Sequence, residues 1–173
     1  RYLDDGSDQG TAWRATDFDD STWRVGQAEF GYGDGDEQTE IDFGGDETNK
    51  HVTTYFRYEF QVAVAERFDS LSAWLVRDDG AAVYFNGAEV FWDNVLPVDA
   101  AYDTYTIGTE GENATLTYSI VPDLLVKGIN VVAVEVHQQA ADSSDLSFDF
   151  RLTAEVLVST TATVTIDVSS TPS

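Results

Sequence analysis

The sequence predicts an all-β fold, a two-sheet antiparallel β-sandwich, and three observations carry this prediction. Several segments alternate apolar and polar residues, which is typical of strands with one buried face. No segment keeps the 3.6-residue apolar period that an amphipathic helix requires. Asn86-Gly87 separates two apolar runs, and this dipeptide is the strongest short-range signal for a hairpin with a type I′ turn. About eight strands are expected.

The hairpin around Asn86-Gly87 is the most informative stretch of the chain. A two-residue loop pairs Phe85 with Ala88, and continuing the register places Ala81 opposite Trp92. One face of the hairpin is then entirely apolar and is expected to be buried, whereas the other carries polar groups. The apolar face consists of Ala81, Val83, Phe85, Ala88, Val90 and Trp92, and the other face carries Tyr84 and Glu89.

Further strands are expected on both sides of the hairpin. Residues 55–64 alternate without a fault, which predicts one buried face and one wet face. The buried face would hold Phe56, Tyr58, Phe60, Val62 and Val64, and the wet face Tyr55, Arg57, Glu59 and Gln61. Strands are also expected at residues 71–76, 114–120, 130–137 and 146–156, with turns at residues 77–80 and a short helical turn at residues 122–128.

The chain is strongly acidic, with 32 Asp and Glu against nine Lys and Arg, a net charge of −23. Such a surface repels nucleic acid and anionic membranes, so both classes of partner are excluded. Solubility in a salty, marine or halophilic medium explains the charge most simply, because salt screens the self-repulsion. Binding of divalent cations by clustered carboxylates is the alternative. The absence of cysteine excludes disulfides and thiol chemistry.

The length of 173 residues and the hydrophobic content of 42% fit one domain with a substantial core. Residues 1–158 are expected to form this module, in which residues 1–54 are long ordered loops around short strands. Residues 159–173 are rich in Thr and Ser and form either a last strand or a linker to a further module. A start at Arg1, with no visible signal peptide, favours a piece excised from a longer protein.

Four motifs, in order, resemble the galactose-binding-domain-like jelly roll. They are FDDSTW at residues 18–23, YFRYEF at 55–60, DDGAAVYFNG at 78–87 and LLVKGINVVAVEV at 124–136. This fold family includes many carbohydrate-binding modules and the sugar-binding domain at the front of family-2 glycoside hydrolases. The resemblance covers roughly residues 13–156. It implies a jelly-roll sandwich that binds ligands through loops at one end, often with a structural calcium. It also implies a secreted or cell-surface protein of several domains.

Sugar recognition needs an aromatic ring against pyranose C–H groups and planar polar side chains that hold hydroxyls. Candidates must lie on loops, and antiparallel connectivity can bring several loops to one end of a sandwich. Tyr32 and Trp13 are expected to be more accessible than Trp92. The candidate ligand-binding residues are Tyr32, Arg77, Asp78, Asp79, Asn94, His137, Gln138, Ser144 and Asp145. Turn closure is the alternative role for each of them.

A calcium site is predicted in the GDGDE turn, where Asp34, Asp36 and Glu37 place carboxylates close together in a tight loop. Its expected role is structural. Asp4, Asp5 and Asp8 form a second, looser set.

Catalysis is not expected. Paired carboxylates, which glycosidases use, occur by chance throughout so acidic a chain. His137, Asp145 and either Ser143 or Ser144 could be drawn as a triad, but the chain has no Gly-x-Ser-x-Gly elbow. Hydrogen bonds that close a loop explain these residues better.

The sequence therefore predicts a secreted, non-catalytic carbohydrate-binding module, with a polysaccharide and the neighbouring domains of its own chain as partners. One alternative is a structural or adhesive module that binds no glycan. The other is a hydrolase fragment whose active site lies elsewhere.

Overall fold

The computed structural model describes residues 1–64, 68–94, 100–108, 114–157 and 163–167. The described strands are β1 (Tyr2–Leu3), β2 (Phe30–Tyr32), β3 (Thr39–Glu40), β4 (Thr53–Val62), β5 (Ser70–Asp78), β6 (Gly80–Phe85), β7 (Ala88–Asp93), β8 (Ala114–Ile120), β9 (Gly128–His137), β10 (Leu146–Leu157) and β11 (Thr163–Asp167). Helical structure within these ranges consists of two 3₁₀ turns, Ala12–Arg14 and Pro122–Leu124.

The strands form two sheets, which confirms the predicted β-sandwich. The first sheet has the order β1-β4-β9-β6-β7 and the second the order β3-β2-β10-β5-β8, with β11 paired to β10. All pairings are antiparallel except that of β2 with β3. The expected count of eight strands is too low because β1, β2 and β3 are too short to show a period. Within the described ranges, no helix is long and apolar enough to span a bilayer.

The core lies between the two sheets and follows the alternation read from the sequence. In β9 and β10 every second side chain points inward, as the 130–137 and 146–156 segments predict. β8 behaves likewise, with exposed Thr and Ser on its outer face. The inward residues of these strands include Val132, Val134, Val136, Leu146, Phe148, Leu152 and Ala154.

A second apolar cluster covers the outer face of the first sheet. Trp13 is fully buried, and its ring centroid lies 4.8 Å from that of Tyr55 and 5.7 Å from that of Tyr84. Trp23 packs beside Tyr55. The prediction that Trp13 is accessible is therefore wrong, because the N-terminal segment folds onto the sheet and buries its own indoles.

The same cluster overturns the predicted wet face of residues 55–64. Tyr55 and Arg57 are 2% and 4% exposed, whereas Glu59 and Gln61 face solvent as predicted. Alternation shows which side chains share a face of a strand, but it does not show whether that face meets water or is covered by another segment. The inward assignment also fails at Tyr58 and Val64, which are 42% and 38% exposed, and Val64 lies beyond the end of β4.

The hairpin turn is as predicted, but its register shifts. Asn86 and Gly87 have φ angles of 50° and 86°, and Phe85 pairs with Ala88. A bulge between Val83 and Tyr84 then changes the pairing by one residue.

Trp92 lies on the outer face of the first sheet because of this bulge. The indole is opposite Ala82 rather than Ala81, and it is 40% exposed. The prediction that Trp92 is buried is wrong, since one extra residue sends each following side chain to the opposite face.

The turn after β5 carries the chain from one sheet to the other. β5 belongs to the second sheet and β6 to the first, so residues 77–80 form a crossing rather than a hairpin. This crossing lies where β5, β7 and β9 finish and β4, β6 and β10 begin, which we call the loop end.

The two long edges of the sandwich differ. At the β7–β8 edge, Phe91 stacks on Tyr118 with 4.0 Å between ring centroids. At the opposite edge, an apolar cleft with a cavity of about 70 Å³ lies between β4 and β10. Its lining includes Phe56, Phe60, Phe148, Phe150 and Leu152, together with Tyr58.

The predicted C-terminal tail lies only partly within the described residues. β11 pairs with β10 from Thr163 opposite Leu157 to Asp167 opposite Thr153. Residues 158–162 and 168–173, including Val168, lie outside the described residues.

We expect Trp13→Ala to lower the free energy of unfolding by about 3–5 kcal/mol, because it removes a fully buried indole. Urea denaturation measures the loss. Trp92→Ala is the matched control and should cost less than about 1 kcal/mol, since that indole is 40% exposed and lies outside the core. Equal losses in the two variants would contradict the N-terminal cluster.

Candidate functional site

Asp79 is the hub of the loop end. Its carboxylate Oδ2 accepts hydrogen bonds from the Gln139 backbone N–H at 2.8 Å and the Ser143 hydroxyl at 3.0 Å. Its carbonyl accepts from Arg77 Nη1 at 2.8 Å and Asn94 Nδ2 at 2.9 Å. Asp79 is only 4% exposed, and a carboxylate so buried needs such donors to offset its lost hydration. One residue thereby joins the turns after β5, β7 and β9.

The Arg77 side chain is held by contacts within the protein. Its guanidinium donates to the Asp93 carboxylate through Nε, 2.6 Å from Oδ2, and through Nη2. The Tyr118 hydroxyl donates to the other Asp93 oxygen at 3.1 Å. Burial is the main cause that raises the pKa of the Tyr118 hydroxyl to about 12, and the nearby negative charge of Asp93 is the second. Arg77 is therefore a buried tie between the two sheets, and its ligand role stays a prediction.

His137 positions a loop instead of facing a ligand. It is fully buried, and its Nδ1 lies 2.8 Å from the Thr104 carbonyl and 3.1 Å from the Thr53 hydroxyl. The Thr104 carbonyl can only accept a hydrogen bond, so Nδ1 carries the proton of this bond, while the Thr53 hydroxyl donates to the Tyr102 carbonyl at 2.6 Å. Nε2 lies 3.8 Å from Glu135 Oε2.

Gln138 and Tyr32 are also internal. Gln138 Nε2 donates to the Tyr32 hydroxyl at 3.0 Å, and both residues are buried. The Lys50 ammonium lies 5.0 Å from the centroid of the Tyr32 ring. Burial raises the pKa of Tyr32. The prediction that Tyr32 is an accessible sugar-stacking ring is wrong, because β2 points this ring into the core.

Residues 101–108, which we call the ribbon, begin with a turn, in which the Thr104 N–H donates to the Ala101 carbonyl at 2.9 Å, and exposure alternates from residue to residue along the segment. Four of them are half-buried, namely Tyr102, Thr104, Thr106 and Gly108. The other four are exposed, namely Ala101, Asp103, Tyr105 and Ile107. Half of the ribbon residues are therefore partly covered by the sandwich, and the other half face solvent.

Hydrogen bonds fix the ribbon across the end of the first sheet. It is held over β4 and β9 through Thr53 and His137, as described above. The Thr106 N–H then donates to the Gln138 carbonyl at 3.1 Å, and the Ile107 N–H to the Asn94 carbonyl at 3.0 Å. Asn94 Nδ2 also donates to the Gly108 carbonyl at 2.9 Å. Asn94, His137 and Gln138 therefore act as anchors of the ribbon.

The ribbon presents a row of side chains that is suited to ligand contact. Tyr105 is 39% exposed and Ile107 60%, and the Asp103 carboxylate is also exposed. Trp92 is exposed on β7, two residues before Asn94. Sequence reasoning missed this row. The sequence holds no periodic signal for it, because residues 101–104 form a turn and residues 101–108 belong to no strand.

The remaining candidate ligand residues divide between interior and surface. Asp78 is 1% exposed. Ser144 and Asp145 lie at the surface of the loop end, where the Ser144 hydroxyl donates to Asp145 Oδ1 at 2.6 Å. The Ser143 hydroxyl bonds Asp79 and not His137, so these side chains do not form a catalytic triad.

The GDGDE turn is closed by Glu37. Its carboxylate oxygens accept the backbone N–H groups of Asp34 at 3.0 Å and Gly35 at 2.9 Å, while Asp34 and Asp36 are exposed. Among the described residues, no three His, Cys, Asp or Glu side chains are grouped so as to hold a metal ion.

The second acidic set closes turns as well. Asp4 Oδ2 accepts from Arg24 at 2.8 Å, Asp5 from Ser7, and Asp8 from the Gly10 N–H. Calcium binding stays a prediction.

The chain was compared with protein families, with curated proteins and with solved structures. No family model and no curated protein matches it. A calcium-binding mutant of Bacteroides uniformis β-glucuronidase 2 superposes with a TM-score of 0.57 at 17% identity, covering 90% of this chain and 17% of that enzyme. Bacteroides uniformis β-glucuronidase gives 0.53 at 16% identity, with the same coverage of both chains. The fold is a galactose-binding-domain-like β-sandwich. This β-sandwich spans about a sixth of the length of those enzymes.

We expect Asp79→Ala to lower the free energy of unfolding by about 3 kcal/mol, because it leaves the partly buried Gln139 N–H and the buried Ser143 hydroxyl without an acceptor. Ser143→Ala removes one of the two donors and should cost about 1 kcal/mol. Urea denaturation of both variants makes the comparison. A loss in Asp79→Ala no larger than in Ser143→Ala would contradict the role of Asp79 as hub.

Proposed function

We propose that this chain is a non-catalytic carbohydrate-binding module of a larger secreted protein and that it holds glycan at the loop end. The observation that carries the proposal is the ribbon, in which Asp103, Tyr105 and Ile107 are exposed in a row on a hydrogen-bonded base. Trp92 adds a second exposed ring at the same end of the sandwich.

The chemistry of this row matches that of a sugar. A tyrosine ring can stack on the C–H face of a pyranose, and a carboxylate can accept hydrogen bonds from neighbouring hydroxyls. Tyr105 and Asp103 supply these two groups. The ribbon is tied to β4, β9 and the end of β7, so little conformational entropy is lost when a ligand binds.

The charged groups at the loop end bond to the protein itself, and this supports an accessory role. Asp79, Arg77 and Asp93 are hydrogen-bonded to one another or to neighbouring turns. The solved proteins of similar fold are named β-glucuronidases, and this chain corresponds to only a sixth of their length. A carbohydrate-related module beside a catalytic domain fits both observations.

Neutral glycans are the expected ligands. The net charge of −23, the exposed Asp103 and the half-buried Asp145 oppose the binding of a polyanion. A uronate-bearing chain would therefore need a bridging cation.

The alternative function is structural or adhesive docking against a neighbouring domain. The open apolar cleft between β4 and β10 favours it, because such a cleft offers contact area but few polar groups to orient a sugar.

Tyr105→Ala tests the proposal by retention on insoluble cellulose, chitin, mannan and galactan, with and without EDTA. The wild type should be retained on at least one polysaccharide, and the variant about tenfold more weakly, since stacking on one ring contributes on the order of 1 kcal/mol. Tyr58→Ala is the matched control, because Tyr58 is 42% exposed but lies at the cleft edge. No retention of the wild type on any of the four polymers would favour the docking function, and hydrolysis of chromogenic glycosides would contradict the non-catalytic role.

A structural calcium at the GDGDE turn belongs to the same proposal. Saturating calcium should raise the unfolding temperature by several degrees, because a cation that binds only the folded state stabilises it. Asp36→Asn should abolish the shift, whereas Asp123→Asn, an exposed acid in the Pro122–Leu124 turn, should keep it. An identical unfolding temperature with calcium and with EDTA would contradict a structural calcium site.

A further inference from the structure

The outer faces of the two sheets differ. The N-terminal segment covers the first sheet with Trp13 and Trp23, whereas much of the second sheet presents its own side chains to solvent. Exposed outward residues of β5, β8 and β10 are Ser70, Thr115, Thr117, Ser119, Arg151 and Glu155. Short hydroxyl side chains dominate this face.

Trp74 lies in the middle of this face. β5 runs between β8 and β10, and the register pairs Trp74 with Thr117 on one side and Arg151 on the other. The indole is half-buried, and the Arg151 guanidinium carbon lies 5.1 Å from its ring centroid. A large ring therefore stands among shorter side chains, with a planar cation over it.

The neighbouring rows complete a polar patch around the ring. Ser72 pairs with Ser119 and Thr153, and on the other side of Trp74 the Val76 row ends in Thr115 and Asp149. Strand spacing makes this three-by-three patch about 10 Å by 14 Å, roughly the area of two sugar rings.

The chemistry of the patch is that of a polysaccharide platform. An indole can take the C–H face of a pyranose, the guanidinium N–H groups can donate to ring-edge hydroxyls, and a carboxylate can accept from them. Trp74, Arg151 and Asp149 provide these three groups on adjacent strands.

The charge of the patch selects among ligands. The patch holds one acid, Asp149, and one base, Arg151, and Glu155 lies one row outside it beside Ser70. Because the patch has no net positive charge and the whole chain carries −23, a polyanion is disfavoured. A protein partner would need a larger apolar contact than one half-buried indole. An uncharged, extended polyol matches both the charge and the hydroxyl-rich surroundings.

We infer that the outer face of the second sheet is a second glycan-binding surface, on which a neutral polysaccharide chain stacks a sugar ring on Trp74 beside Arg151. This inference rests on the proposed carbohydrate-binding function and adds to it a site away from the ribbon.

The test uses the polysaccharide that retains the wild type, with binding isotherms for Trp74→Ala, Tyr105→Ala and the Tyr58→Ala control. Trp74→Ala should weaken binding at least about tenfold while Tyr58→Ala leaves it unchanged. Thermal unfolding of each variant shows whether it is folded. If Trp74→Ala fails to fold, Arg151→Ala should show the same weakening.

A second measurement needs no change at Trp74. In a Trp92→Phe background, Trp74 is the one indole that is not buried, because Trp13 and Trp23 are 0% and 6% exposed. Bound polysaccharide should slow the oxidation of this indole by N-bromosuccinimide. Unchanged oxidation and unchanged affinity of Trp74→Ala would overturn the second surface. If Tyr105→Ala still loses affinity in that case, the proposed glycan binding at the ribbon stands. A wild type that binds no polysaccharide would contradict both the proposed function and the second surface.

Discussion

The buried carboxylate of Asp79 is the constraint on which the loop end depends. It lies where the chain crosses from one sheet to the other. Its Oδ2 accepts from two groups of the turn after β9, and the backbone carbonyl of the same residue accepts from Arg77 and Asn94. A desolvated charge tolerates little displacement of its donors, so the three turns keep fixed positions relative to one another. Asn94 in turn fixes the ribbon, because its backbone carbonyl accepts from the Ile107 N–H and its side-chain amide donates to the Gly108 carbonyl.

The N-terminal segment supplies the second constraint. Arg57 of β4 donates to Asp20 at 2.8 Å and to the Ala15 carbonyl at 3.0 Å, which holds the segment over the first sheet. Beneath it, the Tyr84 hydroxyl and the Arg14 guanidinium converge on Glu135 Oε1 at 2.6 and 3.2 Å. With the first sheet covered in this way, the ribbon and the outer face of the second sheet remain as accessible surfaces rich in polar groups.

Local signals predicted much of the fold, and tertiary packing decided the rest. Asn86-Gly87 specified its turn because the required φ angles depend on those two residues alone. Trp92 was misplaced because the bulge between Val83 and Tyr84 leaves no mark in the apolar pattern. Tyr55 followed the alternation correctly, yet the covering segment that buries it is more than thirty residues away in sequence.

Sequence reasoning predicted where the candidate site lies better than it predicted what each of its residues does. Sequence reasoning placed Asp79, Asn94 and His137 at one end of the sandwich, and the hydrogen bonds join each of them to a loop there. Polar residues that follow strands can either bind a ligand or fix a loop, and their identity alone does not separate the two roles. The degree of burial does separate these two roles. The buried candidates fix loops, whereas Asp103 and Tyr105 are exposed and can reach a ligand.

Native-state hydrogen exchange of the ribbon tests the central claim most directly. If the ribbon is a fixed platform, the backbone amides of Thr106 and Ile107 should exchange at least about 100-fold more slowly than in an unstructured peptide. Asp79→Ala should remove this protection while the amides of central β9 keep theirs. Exchange of both ribbon amides at the unstructured rate in the wild type would contradict the account.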